Sequence, residues 1–179
     1  RQACADDVLF WVNSFVWTLD PRRVSCPNVP MVTWPEQDDL ICHIVMADGR
    51  HDLWVEKGRD LGVTWDVIAV YVWDLLFHPN THHKVISRKE SMVDGTDDPD
   101  TLFSKVDHIL AYLPEFLKPE LTRAKMIVSN PGMRSTLTGE STTGDVARGG
   151  RQKGMLIDEA ATMDSLGEIV ASTSAVCNS

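Results

Sequence analysis

The segment TWDVIAVYVWDLLF, residues 64–77, constrains the fold more than any other part of the chain. Its apolar residues fall on most faces of a helix rather than along one stripe. Such a helix is stable in water only when neighbours cover it on nearly all sides. It must therefore lie at the centre of a domain, and 179 residues suffice for one domain with a full hydrophobic core. The balance of 43% apolar and 24% charged residues is that of an ordinary globular protein.

The flanking segments supply the neighbours. ADDVLFWVNSFVWTL (5–19) has apolar residues at helical spacing behind an acidic first turn, and QDDLICHIVMAD (37–48) reads as a second helix ending near Gly49. Between them Pro21, Pro27, Pro30 and Pro35 make 20–36 an extended connector. DLWVEK (52–57) and HKVISR (83–88) read as strands on either side of the apolar helix. DPDTLFSKVDHILAYLPEFL (98–117) opens on an Asp-Pro-Asp capping signal and continues as an amphipathic helix. AKMIVSN (124–130) and RSTLTGES (134–141) are strands joined by the turn NPGM, and KGMLIDEAA (153–161) is a buried strand ending in two acids. A helix from Asp164 to about Ser172 and a last strand SAVCNS complete the pattern. Strands alternating with helices predict an α/β fold with a mostly parallel central sheet and helices on both faces.

Charge and cysteine usage narrow the function. A formal net charge of −9 disfavours a surface that grips DNA all over, although ARGGRQK (147–153) is a local basic cluster. The cysteines at 4, 26, 42 and 177 have no CxxC spacing and read as buried free thiols of a reducing compartment. HPNTHH (78–83) brings three histidines together. With no Cys or acid at matching spacing, it reads as an exposed loop rather than a zinc site. The apolar run 8–17 is too short to span a membrane, carries Asn13 and Ser14, and lacks the flanks of a signal peptide. The chain starts at Arg1 and stops soon after an apolar stretch, as a piece of a longer protein would.

Two stretches carry chemistry. KGRDLGVTW (57–65) nearly matches the phosphate-binding pattern GxxxxGK[ST], with Gly62 for close backbone approach and Thr64 for a magnesium-bound hydroxyl. Val63 stands where the lysine belongs, while Lys57 and Arg59 sit at the front of the loop. On its own the stretch fits a plain strand-to-helix turn slightly better. GMLIDEAA (154–161) tips the balance, because a buried strand ending in Asp158 and Glu159 has the form of a Walker B motif. Asp158 would hold Mg²⁺ through water and Glu159 would activate the attacking water. Both stretches converge at the carboxyl ends of the strands of such a sheet, which makes a nucleotide site the expectation.

In order along nearly the whole chain, these motifs resemble the ATPase domain of the large terminase subunit of tailed bacteriophages. FWVNSFVWTLDPR (10–22) with VTWPEQ (32–37) is similar to the N-terminal region of that family, and the resemblance makes Gln37 the adenine contact. VEKGRDLGVTW (55–65) is similar to the variant Walker A of that family, whose lysine also opens the loop; Gly58 replaces its usual Ser. ISRKESMVDG (86–95) and TGESTTGDVARGGRQKGMLIDEAA (138–161) continue the match, the second most specifically, and ASTSAVCNS (171–179) resembles the start of the coupling motif.

The resemblance implies a P-loop NTPase of the additional-strand (ASCE) type that uses ATP and Mg²⁺. Residues 1–50 would form the adenine side and 51–179 the core, without the nuclease domain of the family. The loop Lys57, Gly58, Arg59, Asp60, Leu61, Gly62, Val63, Thr64 and Trp65 would cradle the nucleotide, with Lys57 and Arg59 offsetting phosphate charge. Arg148 or Arg151 would complete a neighbour's site in a ring docked on the portal. Partners implied are double-stranded DNA, the portal protein and the small terminase subunit, in the host cytoplasm. Two other readings stay open: another P-loop ATPase of helicase-like type, and a nucleotide-binding assembly module without turnover.

Overall fold

The computed structural model describes residues 1–58, 60–95, 98–142, 151–163, 166–167 and 169–171. Two short helices open the chain, α1 (Gln2–Asp6) and α2 (Val8–Phe15), followed by a two-stranded ribbon of β1 (Trp17–Leu19) and β2 (Asn28–Pro30). The single helix expected over 5–19 is thus divided. Asp7 is extended and caps α2 by accepting from the Phe10 amide, and the chain leaves the helix at Val16 to pair with β2. α3 (Pro35–Ala47) begins on Pro35, whose fixed φ and missing N–H suit a first helical position.

α4 (Val63–Phe77) is the apolar helix, and every residue from Asp66 to Phe77 is buried. Ile68, Leu75 and Leu76 have at most 1% of their surface exposed, each burial stabilising by roughly 1.5–3 kcal/mol. α3, α6 and the sheet pack around it, with α2 closing one side. After β3 (His82–Ser87) come the one-turn α5 (Glu90–Val93) and α6 (Leu102–Tyr112). The N-cap of α6 is Thr101, which accepts from the Ser104 amide at 3.1 Å, so the helix starts later than the Asp-Pro-Asp signal suggests. It ends ahead of Pro114, short of the expected residue 117.

The main sheet holds β4 (Thr122–Ala124), β5 (Ile127–Asn130), β6 (Ser135–Ser141), β3 and β7 (Gly154–Ile157), in the spatial order β4-β5-β6-β3-β7. β3 runs parallel to β6 and β7, whereas β4, β5 and β6 pair antiparallel. The α/β class holds, but the sheet is mixed rather than mostly parallel. The tight turn between β5 and β6 and the short step from β4 to β5 leave no room for crossover connections, which parallel pairing requires. By register and alternation His83, Val85, Leu137 and Leu156 share the sheet face toward α4, where His83 stacks on Tyr71 at 4.1 Å. On the opposite face Lys84 pairs with Glu140 at 2.5 Å and Ile86 is fully buried.

One expected strand is missing. Residues 52–57 lie outside the sheet, with Leu53, Trp54 and Val55 exposed by 41%, 66% and 42%. Three consecutive apolar residues point to both faces of any strand they form and need cover on both, and no described strand pairs with them. The acids closing the last strand also lie beyond it, since β7 stops at Ile157 and a 3₁₀ turn, Ala160–Thr162, follows. The helix expected from Asp164 is described only at 166–167 and 169–171, and the final strand SAVCNS lies outside the described residues.

Candidate functional site

Gly62 sets the geometry of the loop. It caps α4 in the left-handed region at φ 75°, and a Cβ there would stand 2.8 Å from the Gln37 side-chain nitrogen. The backbone conformation disfavours a side chain, and one there would have to push the Gln37 amide aside. The amides that begin α4 at Val63, Thr64 and Trp65 are the free donors every helix start presents, and they lie at its positive end. Thr64 Oγ1 lies 3.5 Å from Asp158 Oδ1, although 94 residues separate them. Asp158 is held there by its own amide, which donates to the Ile86 carbonyl at 2.9 Å and continues the β3–β7 ladder by one residue.

A hydroxyl and a carboxylate at this spacing suit a hard divalent cation. Both donors are oxygens, the ligand type that Mg²⁺ takes, whether directly or through its bound waters. Glu159 follows in the left-handed region at φ 56°, an exposed residue at the start of the 3₁₀ turn. Such a conformation costs a non-glycine residue about 1–2 kcal/mol and gathers at functional turns.

The other expected site residues divide. Gln37 is buried on α3 and touches the loop: its amide nitrogen donates to the Leu61 carbonyl at 3.4 Å and to Asp66 Oδ1 at 3.2 Å. Lys57, Gly58, Asp60 and Leu61 are exposed, with Asp60 3.4 Å from the Arg22 guanidinium. Val63, Thr64 and Trp65 are half-buried in the first turn of α4. Arg151 is exposed ahead of β7, at the end of the strand opposite Asp158; the four strand residues alone span about 10 Å. Arg59 and Arg148 lie outside the described residues.

Two groups at this end of the sheet escaped the sequence reading. Asp66, in the first turn of α4, has no exposed surface, and burial pushes its carboxyl up to about 7 against the opposing hydrogen bond from Gln37. Among the described residues its second oxygen has no hydrogen-bond partner. Lys105 on α6 is 9% exposed, with its ammonium 5.8 Å from the centre of the Trp65 ring. An acid inside so apolar a helix was a visible signal for Asp66; a lysine on an amphipathic helix was none for Lys105.

A second cluster lies at the opposite end of the parallel strands. Asp48 follows α3, Asp74 sits in the last turn of α4, and His83 is the second residue of β3, so HPNTHH is not the exposed loop expected and does have acidic partners. His83 Nε2 is 2.7 Å from Asp74 Oδ2 and 3.7 Å from Asp48 Oδ2. These three residues could hold a metal ion, since their ligand atoms lie within 4.8 Å of one another. The Lys153 ammonium already supplies a cation there, at 2.5 Å from Asp74 and 3.2 Å from Asp48. Burial alone would raise the Asp74 carboxyl, but hydrogen bonds from His78, His83 and Lys153 outweigh it and hold the group well below the usual carboxylate range. Of the described cysteines only Cys4 is buried; Cys42 is half-buried and Cys26 exposed, and none is in a disulfide.

No protein-family model and no curated protein matches the sequence. The fold does match a solved one, the crystal structure of the HK97 bacteriophage large terminase, with a TM-score of 0.70 and 15% sequence identity. The match covers 96% of this chain and 35% of that one, so the chain spans about a third of the length of its structural neighbour. At this identity the likeness is one of fold, and it extends over almost all of the chain.

Proposed function

We propose that this chain is the ATPase part of a phage-type large terminase, hydrolysing ATP to drive double-stranded viral DNA into the procapsid. The observation that carries the reading is the approach of Thr64 and Asp158 to 3.5 Å beside the start of α4. The loop-and-acid motifs in the sequence and the terminase-like fold support it independently. The whole assembly would include the portal protein, the small terminase subunit and a ring of copies in the host cytoplasm. No helix among the described residues is long and apolar enough to cross a membrane.

In this mechanism the α4 amides and Gly62 bind the phosphates, and Gln37 orients the adenine. Mg²⁺, when bound, would offset phosphate charge, and Thr64 and Asp158 are the residues that would hold it. Lys57 and Arg59 add positive charge from the front of the loop. Glu159 takes the proton of the attacking water, aligned in line with the γ-phosphate. Arg148 or Arg151 would complete the site of a neighbouring copy.

Steady-state phosphate release tests the enzyme reading. Glu159→Gln should lower turnover by about 100-fold or more while ATP affinity stays within about threefold, as expected for loss of a general base. Turnover unchanged by this substitution would remove Glu159 from its assigned role. Wild-type ATP binding without any turnover, at every protein concentration, would favour the assembly-module reading.

A further inference from the structure

Lys105 is buried in a place that opposes its charge. It stands in the first turn of α6, at the positive end of the helix, where a cation is disfavoured. Among the described residues its ammonium has one hydrogen-bond acceptor, the Asp100 carbonyl, and no carboxylate within ion-pair distance. Burial weighs most on this amine and lowers its proton affinity; Asp100, Asp158 and Asp98 act against that, and Lys57 reinforces it. A buried ammonium with a single carbonyl partner is costly, and a cation–π contact with Trp65 offsets only part of that cost.

The position supplies an explanation. Trp65, beneath the ammonium, follows Thr64, and Thr64 meets Asp158. Lys105 thus approaches, from α6, the turn that presents Thr64 to Asp158. We propose that Lys105 is a phosphate-binding residue of the nucleotide site, facing the phosphate chain from α6 and supplying the charge that Val63 cannot. The proposal rests on the nucleotide reading above and extends it to a residue outside the loop. It also gives the polyphosphate, rather than the base, as the feature Lys105 recognises.

Lys105→Met keeps the stem and removes the charge, and Lys105→Arg keeps the charge. Equilibrium dialysis against ATP and AMP with Mg²⁺, alongside thermal melting, separates a functional from a structural role. Lys105→Met should melt no lower than the wild type, because an unpaired buried charge is gone, yet bind ATP about tenfold or more weaker. AMP affinity should change by less than about threefold, and Lys105→Arg should recover most of the ATP affinity. A Lys105→Met protein that binds ATP as the wild type does, or loses ATP and AMP equally, overturns the proposal while the nucleotide site stands. Should Lys105→Met fail to fold, Lys105→Arg decides: a folded Arg variant with no preference for ATP over AMP overturns it. Wild-type protein that binds no ATP overturns both this inference and the reading beneath it.

Discussion

Asp66 is a carboxylic acid without exposed surface, placed one turn behind the glycine that starts α4. Burial raises its carboxyl from 3.8 to about 7. The folded state therefore holds a proton that the unfolded chain releases near pH 4. Stability from this group is full at low pH and falls as pH rises from about 4 to about 7. At about 1.4 kcal/mol per pH unit the loss is bounded by about 4 kcal/mol. Asp66→Asn should remove that slope, gaining on the wild type in urea denaturation between pH 5 and pH 8. Parallel curves for the two proteins would mean that Asp66 stays charged in the fold. Gln37, its hydrogen-bond donor, was legible in the sequence only through a family resemblance. The place of Asp158 and Glu159, just past the end of an apolar strand, was legible by itself to within a residue or two. Lys105 was not, because its burial comes from the packing of α6 on α4, which no local pattern records.

At the scale of elements, the ends of α3 and α4 and the starts of β3 and β7 are tied together by Asp48, Asp74, His83 and Lys153. Asp74 is held well below its ordinary value, so its contribution is full above about pH 4 and shrinks progressively as pH falls below that. Asp74→Ala should cost about 3–5 kcal/mol at pH 7, because it strips the buried His83 and the half-buried Lys153 of their nearer carboxylate and leaves them Asp48 alone. The deficit should shrink in acid, and an equal deficit at pH 3 would contradict the assignment. Gly154, at the start of β7, lies against this cluster, and a Cβ there would run into Asp48 Oδ1 and come within 3.1 Å of the Tyr71 hydroxyl. Gly154→Ala should lower stability by about 1–3 kcal/mol, measurable by chemical denaturation. α3 and α6, with their apolar periods, and α4, with its unbroken apolar run, were legible to within a few residues. The strand expected at 52–57 was not, because strand formation depends on a partner edge that a single segment does not carry.

For the whole molecule, the chain carries a net charge of −9 and covers about a third of a terminase-like neighbour. Its DNA affinity in isolation should be weak, because few phosphate contacts are open to a chain of this charge. With Arg151 at the far end of β7 from Asp158, turnover per subunit should rise with protein concentration as copies meet. A specific activity independent of concentration would show that each chain completes its own site. The central claim is that Thr64 and Asp158 converge on a bound metal–nucleotide pair. A crystal structure with a non-hydrolysable ATP analogue and Mn²⁺ in place of Mg²⁺ tests this most directly. The expected result is an anomalous peak beside Thr64 Oγ1 and Asp158, phosphates against the α4 amides, and Lys57 turned toward them. A nucleotide bound elsewhere, or one in the loop with Lys57 turned away and no metal near Asp158, would contradict it.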